Sequence, residues 1–257
     1  MQKKDTSWEE VAVWYDSHLR FGDTYQEKVI APHLARLLEL SSDEILLDLG
    51  CGQGYFTHLF LPGVARVIGV DASETLLRIA KGQTKIEDLD RAEFFIAESH
   101  AIPMIADNSV HKILITLALQ NIRECAKTFV ECARVLKPSG SVHIVLNHPS
   151  FRIPKASGWR YDDTTKVLHR EVSRYLSEFS SAIVMHPGSK EKRETTVSFH
   201  RPLEKYMEHA RDAGLALVDL EEWASHKISQ PGPRAAAEDR ARREIPLFMY
   251  LQFKKCT

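Results

Sequence analysis

Five short apolar segments within the first 150 residues constrain the fold of this chain more than any other feature. They are EILLDLG (44–50), RVIGVDA (66–72), AEFFIAE (92–98), VHKILITLAL (110–119) and SVHIVLN (141–147). Runs this short and this apolar are typical of strands that are covered on both faces of a parallel sheet. Because helical patterns separate them and the connections are short, the chain is predicted to form an α/β sheet wound by right-handed crossovers.

Helical patterns fill the segments between and after these strands. SETLLRIAKG (73–82) begins with Ser73, a residue type that commonly caps a helix N-terminus. RECAKTFVECARVLK (123–137) spaces its apolar residues for one buried face, and the KPSG sequence ends the pattern. RPLEKYMEHARDAG (201–214) has a proline near its start and a glycine after its end, as helices often do.

The two ends of the chain carry weaker patterns. The first 40 residues are predicted to be helical, with an apolar stripe in VIAPHLARLLEL (29–40). ALVDLEEWA (216–224) and PLFMYLQFKK (246–255) predict two last strands. The sequence between them, SHKISQPGPRAAAEDRARREI, reads as a long polar connection whose alternating acids and bases favour a solvated surface.

The alternation of strands and helices stops after Asn147. HPSFRIPKASGWRYDD has the proline-rich and polar composition of a long loop, and residues 167–200 are predicted to hold helix or strand fragments with a turn at HPGSK (186–190). We interpret residues 1–257 as a single domain with four parts: an N-terminal helical cap (1–43), a central core (44–147), an insertion (148–200), and a last helix with the final strands (201–257).

Composition narrows the classes of function. The 257 residues are 44% hydrophobic and 27% charged, with a formal net charge of −1, as expected of a folded enzyme and not of a disordered chain. Binding to nucleic acid mainly through its phosphates is disfavoured by the missing basic excess. No run approaches the roughly 18 apolar residues that span a bilayer, and no signal-peptide segment is evident, so a cytoplasmic location is expected.

The cysteine pattern predicts neither a disulfide nor a metal site. The four cysteines are Cys51, Cys125, Cys132 and Cys256, and no two of them form a C-x-x-C pair. Cys125 and Cys132 lie seven residues apart in a predicted helix, about 10 Å along its axis, which is too far for a disulfide or a shared metal. The histidines show no metal-ligand spacing, so we expect reduced cysteines and no bound metal.

Three glycines at alternate positions follow the first strand in LLDLGCGQGYF (46–56). Gly50, Gly52 and Gly54 occupy the first strand-to-helix turn, and ligands of α/β sheets bind at the carboxyl ends of the strands. Glycine permits positive φ and lets a ligand approach the backbone closely. The helix that begins near Tyr55 directs free N–H groups to the same place, so a nucleotide-like ligand with a negative group is predicted.

An acid at the end of the second strand indicates which part of a nucleotide is bound. The turn reads D-x-G-x-G-x-G with Asp48 ahead of it, and the missing G-K-[ST] excludes a triphosphate-binding P-loop. Asp71 lies about 20 residues further on, where an acid binds ribose in dinucleotide-binding folds. A carboxylate accepts from two vicinal hydroxyls, which a ribose presents together.

These motifs resemble those of a known family. LLDLGCGQGYF with VIGVDASETLLRIAK resembles the first two motifs of the class I S-adenosylmethionine-dependent methyltransferases. AESHAIPMIADNSVHKILITLALQNI resembles their third motif and fourth strand, and ECARVLKPSGSVHIV resembles the segment that leads into strand five. The resemblance is strong over residues 44–147. It is weaker through SFHRPLEKYMEHARDAGLALVDLEEW, which is similar to the later part of small-molecule methyltransferases of the type 11 group.

The resemblance implies a fold and a cofactor. The expected fold is a Rossmann-like, doubly wound, seven-stranded, mostly parallel sheet whose last strand is antiparallel, with N-terminal helices and an inserted lid after strand five. The expected cofactor is S-adenosyl-L-methionine, released as S-adenosyl-L-homocysteine. The sequence departs from the family at Glu98, where aspartate is commoner, and in the length of the insertion, which carries no motif that can be transferred.

Family roles can be assigned residue by residue, with some alternatives left open. Glu98 and the N–H of Ser99 are implied to meet the adenine. Asp48 either orients the turn or contacts the ammonium of the cofactor, and Leu117 either lines the pocket or belongs to the core. Tyr15 either folds over the cofactor or packs within the N-terminal helices. The full set of predicted cofactor-binding residues is Asp48, Gly50, Cys51, Gly52, Gly54, Asp71, Ala72, Glu98, Ser99, Leu117 and Tyr15.

The sequence gives weaker indications of the residues that bind the methyl acceptor. The sequence NHPSF (147–151) differs from the N-P-P-Y motif of amino-methylating enzymes, since it follows strand five and lacks the second proline and the tyrosine. His148 is a candidate general base, and the alternative is an ordinary loop histidine. The cluster Phe199, His200 and Arg201 either contacts an acidic substrate or marks the boundary of the following helix.

The predicted function is therefore methyl transfer from S-adenosylmethionine to a small-molecule acceptor. Much of the barrier to methyl transfer is lowered by holding the acceptor in line and excluding water, so few catalytic residues are needed. Two alternatives stay open: a methyltransferase that acts on RNA or protein, and a non-catalytic S-adenosylmethionine-binding module that regulates a partner. The sequence specifies neither the acceptor atom nor the oligomeric state.

Overall fold

The computed structural model describes residues 8–9, 22–184 and 195–256. Its strands are β1 Ile45–Leu49, β2 Arg66–Asp71, β3 Ala92–Ile96, β4 Val110–Thr116, β5 Leu136–Asn147, β6 Ser157–Asp162, β7 Val167–Val172, β8 Phe179–Val184, β9 Thr195–His200, β10 Leu215–Trp223 and β11 Phe248–Lys255. Its α-helices are α1 Ala31–Leu37, α2 Tyr55–Phe60, α3 Glu74–Gln83, α4 Cys125–Val135, α5 Leu203–Asp212 and α6 Ala235–Glu244. A π-helical turn, Gln26–Ile30, leads into α1, and 3₁₀ turns occupy Leu61–Gly63, Ile86–Asp88 and Leu119–Asn121.

Seven of these strands form one sheet in the order β10-β11-β5-β4-β1-β2-β3. Strands β1 to β5 pair in parallel. Strand β11 lies between β5 and β10 and is antiparallel to both. The predicted seven-stranded, mostly parallel sheet with an antiparallel last strand is confirmed.

Apolar clusters cover both faces of the sheet, which explains why its central strands are continuous apolar runs. Side chains alternate between faces along a strand. Leu47 therefore packs into a cluster with Phe129 of α4, while the neighbouring Leu46 packs into a second cluster with Leu34 of α1 and Phe60 of α2. Each of these five side chains is 5% exposed or less, so the strand order is fixed from both sides.

The order of the strands creates a crevice between β1 and β4. The chain runs outward from β1 through β2 to β3, and then returns to place β4 on the other side of β1. Leu47 of β1 pairs with Ile113 of β4 and Ile68 of β2, so these strands end at the same edge of the sheet. The connections after β1 and β4 turn toward opposite faces, which makes this edge the binding position of a doubly wound fold.

The insertion corrects one prediction, because its first part is a hairpin and not a long loop. Strand β6 pairs with β7 in antiparallel fashion, and β8 pairs with β9 in the same way. Asp162 accepts hydrogen bonds from the N–H groups of Thr164 and Thr165, which closes the first turn. Strand β6 is half exposed and lacks a buried apolar face, so it gave no strand signal. The turn predicted at 186–190 lies outside the described residues.

The predicted polar connection before β11 contains helix α6, which is a second correction. Among its residues only Ala241 is buried, so it shows no apolar periodicity. It forms because alanine, glutamate and arginine have high helix propensity, and because Arg242 pairs with Glu238 and Asp239 one turn earlier. None of the helices that the structure describes combines the length and the apolar character needed to cross a membrane.

A smaller correction concerns the predicted helix over 123–137. Helix α4 ends at Val135, and the chain is already extended from Leu136, which pairs with Val110 of β4. Of the predicted N-terminal helical cap, the described part consists of a helical Trp8–Glu9 pair, the π-helical turn and α1. The three buried cysteines are Cys51, Cys125 and Cys132, and Cys256 is exposed.

Candidate active site

The glycine turn after β1 needs glycine at all three positions, for different reasons. Gly50, Gly52 and Gly54 have φ values of +78°, +55° and +82°, which side chains rarely adopt. A Cβ at Gly50 would lie 2.5 Å from the Cβ of Ala118, and one at Gly54 would lie 2.8 Å from the ring of His58. A Cβ at Gly52 would meet its nearest neighbour only at 4.0 Å, so this position alone faces open space.

Backbone hydrogen bonds hold the turn against the end of β2. The N–H groups of Gly50 and Cys51 both donate to the carbonyl of Val70, at 2.7 and 3.1 Å. The N–H of Gly52 donates to Oδ2 of Asp71 at 2.9 Å. The turn and the acid at the end of β2 therefore form one rigid unit.

Within the described residues, Asp71 uses only part of its hydrogen-bonding capacity. Its Oδ1 accepts the N–H of Ser73 at 2.8 Å, and its Oδ2 accepts that of Gly52. Burial raises the pKa of this carboxyl group, and the two backbone hydrogen bonds counteract the rise. Since a carboxylate has about four acceptor positions, two are left for a ligand with a pair of donors.

Asp48 at the carboxyl end of β1 is buried and touches both the turn and the cleft. Its Oδ2 accepts a hydrogen bond from Thr57 Oγ1 of α2 at 2.6 Å. Desolvation raises the pKa of Asp48 to about 7, an effect that the Thr57 hydrogen bond counteracts and the charge of Asp71 reinforces. The two roles left open for Asp48 are compatible, because its hydrogen bond with Thr57 ties it to the helix after the turn while the residue also lines the cleft.

Glu98 and Ser99 follow β3 at the same edge of the sheet. The N–H of Ala97 donates to the Asp71 carbonyl at 3.1 Å, which joins the ends of β3 and β2. Ser99 Oγ lies 3.0 Å from Thr128 Oγ1 of α4, so this segment is also anchored to a helix. Glu98 and Asp71 therefore lie on the same side of the molecule and face one cleft.

Leu117, directly after β4, has the left-handed backbone conformation with φ +53°. Its carbonyl accepts hydrogen bonds from Gln120 Nε2 at 2.8 Å and from Asn121 Nδ2 at 3.2 Å. Its N–H donates to the Val145 carbonyl at 2.8 Å. These bonds stabilise a conformation that costs on the order of 1 kcal/mol for a residue with a side chain. The side chain both packs on the core and lines the cleft.

The predicted residues meet around one open cleft, whose space of about 910 Å³ includes the solvent at its mouth. Every predicted cofactor residue that the structure describes lines it, except Gly54, which acts through the packing of the turn. Tyr15 lies outside the described residues. The lining residues that sequence reasoning missed include Trp8, Gln26, Tyr55, Thr116, Asn121 and Ile122. Thr116 and Asn121 could have been found as polar residues that follow a central strand. Thr116 Oγ1 is buried, and no hydrogen-bond partner is present for it in the part of the chain that the structure describes.

A second open cavity adjoins this cleft, and its space of about 900 Å³ also includes solvent at its mouth. The two share Trp8, Gln26, Leu117 and Asn121, which we call the junction. The remaining walls come from the 3₁₀ turn after β4, from the end of β5 and the connection that follows it, from strands β8 and β9, and from the start of α5 with the segment that leads into it. These wall residues are Gln120, Asn147, Pro149, Arg152, Pro154, Ile183, Thr196, Ser198, Phe199, His200, Arg201 and Tyr206.

His148, the predicted candidate base, lies apart from both cavities. Its Nδ1 accepts the N–H of Ser150 at 3.2 Å, so the proton is on Nε2, which lies 2.6 Å from Glu222 Oε1. Burial lowers the pKa of this imidazole, and Glu222 counteracts the effect. His148 does not line either cavity in the described structure, and both of its nitrogens are occupied. This geometry favours a structural histidine over a general base.

Comparison with known proteins agrees with this geometry. Residues 40–196 match the family model described as a methyltransferase domain. This chain belongs to that family. The resemblance to class I S-adenosylmethionine-dependent methyltransferases is thereby confirmed.

Individual relatives match parts of the chain. A demethylmenaquinone methyltransferase from Lactococcus lactis is 35% identical over 43% of this chain and 45% of its own length. The thiol S-methyltransferase TMT1B of Rattus norvegicus is 31% identical over 39% of this chain and 41% of its own. Among the first curated relatives, the matches span 60% of the relative's length or less.

The fold extends beyond the part with sequence similarity. The crystal structure of an S-adenosylmethionine-dependent methyltransferase from Mesorhizobium loti superimposes with a TM-score of 0.69 at 23% identity. The superposition covers 87% of this chain and 96% of the other. At this identity the similarity establishes the fold, while the roles of individual residues depend on the geometry described above.

Proposed function

We propose that this protein transfers a methyl group from S-adenosylmethionine to a small-molecule acceptor that binds in the second cavity. The observation that carries the proposal is the junction, where a cleft suited to the cofactor opens into a second cavity. A transferase needs two adjoining sites, because its two substrates must meet with the reacting atoms about 3 Å apart.

The residues of the cleft fit S-adenosylmethionine in shape and in charge. Gly52 leaves room for close approach to the backbone, and Asp71 keeps acceptor positions for two ribose hydroxyls. Thr116 Oγ1 is a buried polar atom that a ligand can satisfy. Acidic side chains line the cleft at Asp48, Asp71 and Glu98, and no lysine or arginine does so among the described residues. This charge complements a ligand that carries a sulfonium and an ammonium group.

When bound, S-adenosylmethionine supplies an electrophilic methyl group: the acceptor lone pair bonds to the methyl carbon while the carbon–sulfur bond breaks and its electron pair stays on sulfur. The protein's part is to position the acceptor against the methyl group and to exclude water from both. The junction consists of Trp8 and Leu117, which exclude water, and of Gln26 and Asn121, whose amides are neutral. None of these four side chains accepts a proton near neutral pH, so the acceptor atom should be nucleophilic without a protein base at the junction.

The insertion supplies part of the wall around the acceptor. Ile183 of β8 and Ser198 of β9 line the second cavity, and the connection after β5 lines it with Pro149 and Pro154. This arrangement supports the role of residues 148–200 as a lid over the acceptor site. Two relatives are named for their activity as a demethylmenaquinone methyltransferase and a thiol S-methyltransferase, and these names indicate that the acceptors of those two proteins are small molecules.

Calorimetry and methyl-transfer assays test the proposal together. The protein should bind S-adenosylhomocysteine with a stoichiometry of one. Incubation with methyl-labelled S-adenosylmethionine should label members of a small-molecule panel, and should leave bulk RNA and protein unlabelled. Absence of cofactor binding would contradict the proposal, and labelling of RNA or protein alone would favour the macromolecular alternative. Binding without turnover across the panel would favour the regulatory module.

A further inference from the structure

The second cavity carries a positive charge that its own walls do not neutralise. Arg152 and Arg201 line it, while no aspartate or glutamate does so among the described residues. Burial lowers the pKa of the His200 imidazole, which disfavours a positive charge there, while the hydrogen bond from its Nε2 to the Tyr175 carbonyl at 2.6 Å counteracts the effect. The cofactor cleft has the opposite character, with acids and no basic side chain in its described lining.

Arg201 is buried, and only some of its N–H groups have hydrogen-bond partners among the described residues. Its side chain is 6% exposed, and its Nη2 donates to the carbonyls of Ile122 and Arg123 at 2.9 and 2.8 Å. Its Nε lies 3.9 Å from a carboxylate oxygen of Glu178, a residue that is half exposed. Its Nη1 is buried, and within the described ranges it has no hydrogen-bond partner. An unsatisfied N–H on a buried cation is costly, and an anionic ligand would remove that cost.

Arg152 approaches the same cavity from a different segment, the connection after β5. Desolvation lowers the pKa of its guanidinium, and the described structure shows neither an ion pair nor a side-chain hydrogen bond for it. Its backbone is fixed, since its N–H donates to the His148 carbonyl at 2.8 Å. The Arg152 residue is exposed and also lines a third cavity, whereas Arg201 is buried, so two cationic side chains from separate segments border the second cavity.

A polar acceptor is also indicated by Gln120. Its Nε2 is used by the Leu117 carbonyl, and its Oε1 is buried with no donor in the described part of the chain. Gln120 lines the second cavity and not the cofactor cleft. An apolar ligand would leave both Gln120 Oε1 and Arg201 Nη1 unsatisfied, whereas a ligand with an anionic group and a donor could satisfy them.

We propose that the acceptor carries an anionic group, a carboxylate or a phosphate, which binds to Arg152 and Arg201. This inference rests on the proposed function, because it takes the bound molecule to be the methyl acceptor. Binding of an anion to the two arginines can nevertheless be measured without methyl transfer. Because neither arginine lines the cofactor cleft, the anionic group is a binding handle, and the methylated atom lies at the other end of the molecule beside Leu117 and Asn121. The acids of the cleft repel an anion, so they impose the same orientation.

The test uses three aromatic probes of similar size: 4-fluorobenzoate, 4-fluorophenyl phosphate and the neutral 4-fluorobenzamide. Binding is followed by ¹⁹F NMR line broadening, with and without saturating S-adenosylhomocysteine. At least one anionic probe should bind tighter than the amide by on the order of tenfold, as expected for a charge-assisted hydrogen bond. The preferred anionic probe distinguishes a carboxylate handle from a phosphate handle.

Matched arginine variants assign the preference to the site. Arg152→Gln and Arg201→Gln should each abolish the preference for the anion, and Arg201→Lys should retain part of it. Arg160→Gln is the control, since Arg160 lies on the exposed hairpin, paired with Glu171, and lines neither cavity. Arg201 also supports the loop after β4, so its variants are checked for folding by thermal melting. If they do not fold, Arg152→Gln decides the question.

Two results would overturn the inference. One is equal binding of the anions and the amide, or a preference that survives Arg152→Gln. The other is a loss of S-adenosylhomocysteine binding in Arg152→Gln that is not seen for adenosine, because the arginine would then hold the carboxylate of the cofactor. A wild-type protein that binds no S-adenosylhomocysteine would contradict the proposed function, while the preference among probes would still be measurable.

Discussion

The N–H of Gly52 donates to Oδ2 of Asp71 at 2.9 Å, and this bond joins the turn after β1 to the carboxylate at the end of β2. The same carboxylate holds the N–H of Ser73 through its other oxygen. One acid therefore fixes the two segments between which an adenosine would lie, and it still has acceptor positions for a ribose. The first prediction follows from this dual role.

Replacement of Asp71 by asparagine should weaken S-adenosylhomocysteine binding by on the order of 10- to 100-fold. An amide nitrogen in place of one oxygen would face a backbone N–H, and one ribose hydroxyl would lose a charged acceptor. Isothermal titration calorimetry measures the loss. Asp90→Asn is the matched control, because Asp90 is exposed and away from the cleft. Equal affinities of the two variants would remove Asp71 from the site.

Two glycines of the turn should respond differently to alanine. Gly50→Ala places a Cβ 2.5 Å from that of Ala118, so the turn must move and the melting temperature should fall markedly. Gly52→Ala meets no atom closer than 4.0 Å, so it should cost only the roughly 1 kcal/mol of an unfavourable φ. Its methyl group occupies the cleft, however, and should reduce S-adenosylhomocysteine affinity at least tenfold. Thermal melts and calorimetry on both variants separate the two effects. Unchanged affinity in Gly52→Ala would mean that no ligand approaches this part of the backbone.

Cofactor binding should depend on pH through Asp48. Burial raises the pKa of this carboxyl group in the folded protein to about 7, from its ordinary value of 3.8. The folded state then binds a proton that the unfolded state releases, so Asp48 makes the free protein less stable as pH rises from about 4 to 7. An ammonium group on the ligand favours the ionised form. Affinity for S-adenosylhomocysteine should therefore rise about tenfold between pH 6 and pH 8, with proton release on binding.

Calorimetry in buffers of different ionisation enthalpy measures that proton release. Asp48→Asn should bind more weakly and should lose most of the pH dependence. Thr57→Val removes the hydrogen bond that favours the ionised carboxylate, so it should move the transition to higher pH. A flat pH profile in the wild-type protein would contradict direct contact between Asp48 and the ligand ammonium.

His148 should matter for stability and not for turnover. Its nitrogens interact with Ser150 and Glu222, and its ring packs against Phe151 with centroids 4.7 Å apart. His148→Gln should lower the free energy of unfolding by about 1–3 kcal/mol, as expected when buried hydrogen bonds are lost. Cofactor affinity and kcat should stay close to those of the wild type, as judged by calorimetry and by methyl transfer to an accepted substrate. A large fall in kcat without a change in the melting temperature would restore His148 as a general base.

The parts of the molecule that were predictable are those governed by local patterns. Strands β1 to β5 are apolar on both faces, and the spacing of the three glycines is typical of a ligand-binding turn. The core and most of the candidate cofactor residues can therefore be predicted from short stretches of sequence. Helix α6 did not follow, because it buries only Ala241 and is stabilised by charge pairs. The hairpin β6–β7 is half exposed and offers no buried face.

The second cavity could not be predicted, since distant segments assemble it. Trp8, Leu117, Arg152 and Phe199 meet only through the tertiary fold. The left-handed backbone conformation of Leu117 could not be predicted either, because leucine rarely adopts it. The sequence leaves the cluster Phe199, His200 and Arg201 open as a contact for an acidic substrate, and the structure adds which atoms of Arg201 are already paired.

The most direct test of the central claim is a crystal structure of the protein with S-adenosylhomocysteine. The account predicts ribose hydroxyls on Asp71, the adenine beside Glu98 and Ser99, and the sulfur atom directed at the junction of Leu117 and Asn121. A ligand bound elsewhere, or a sulfur atom that points away from the second cavity, would contradict the account.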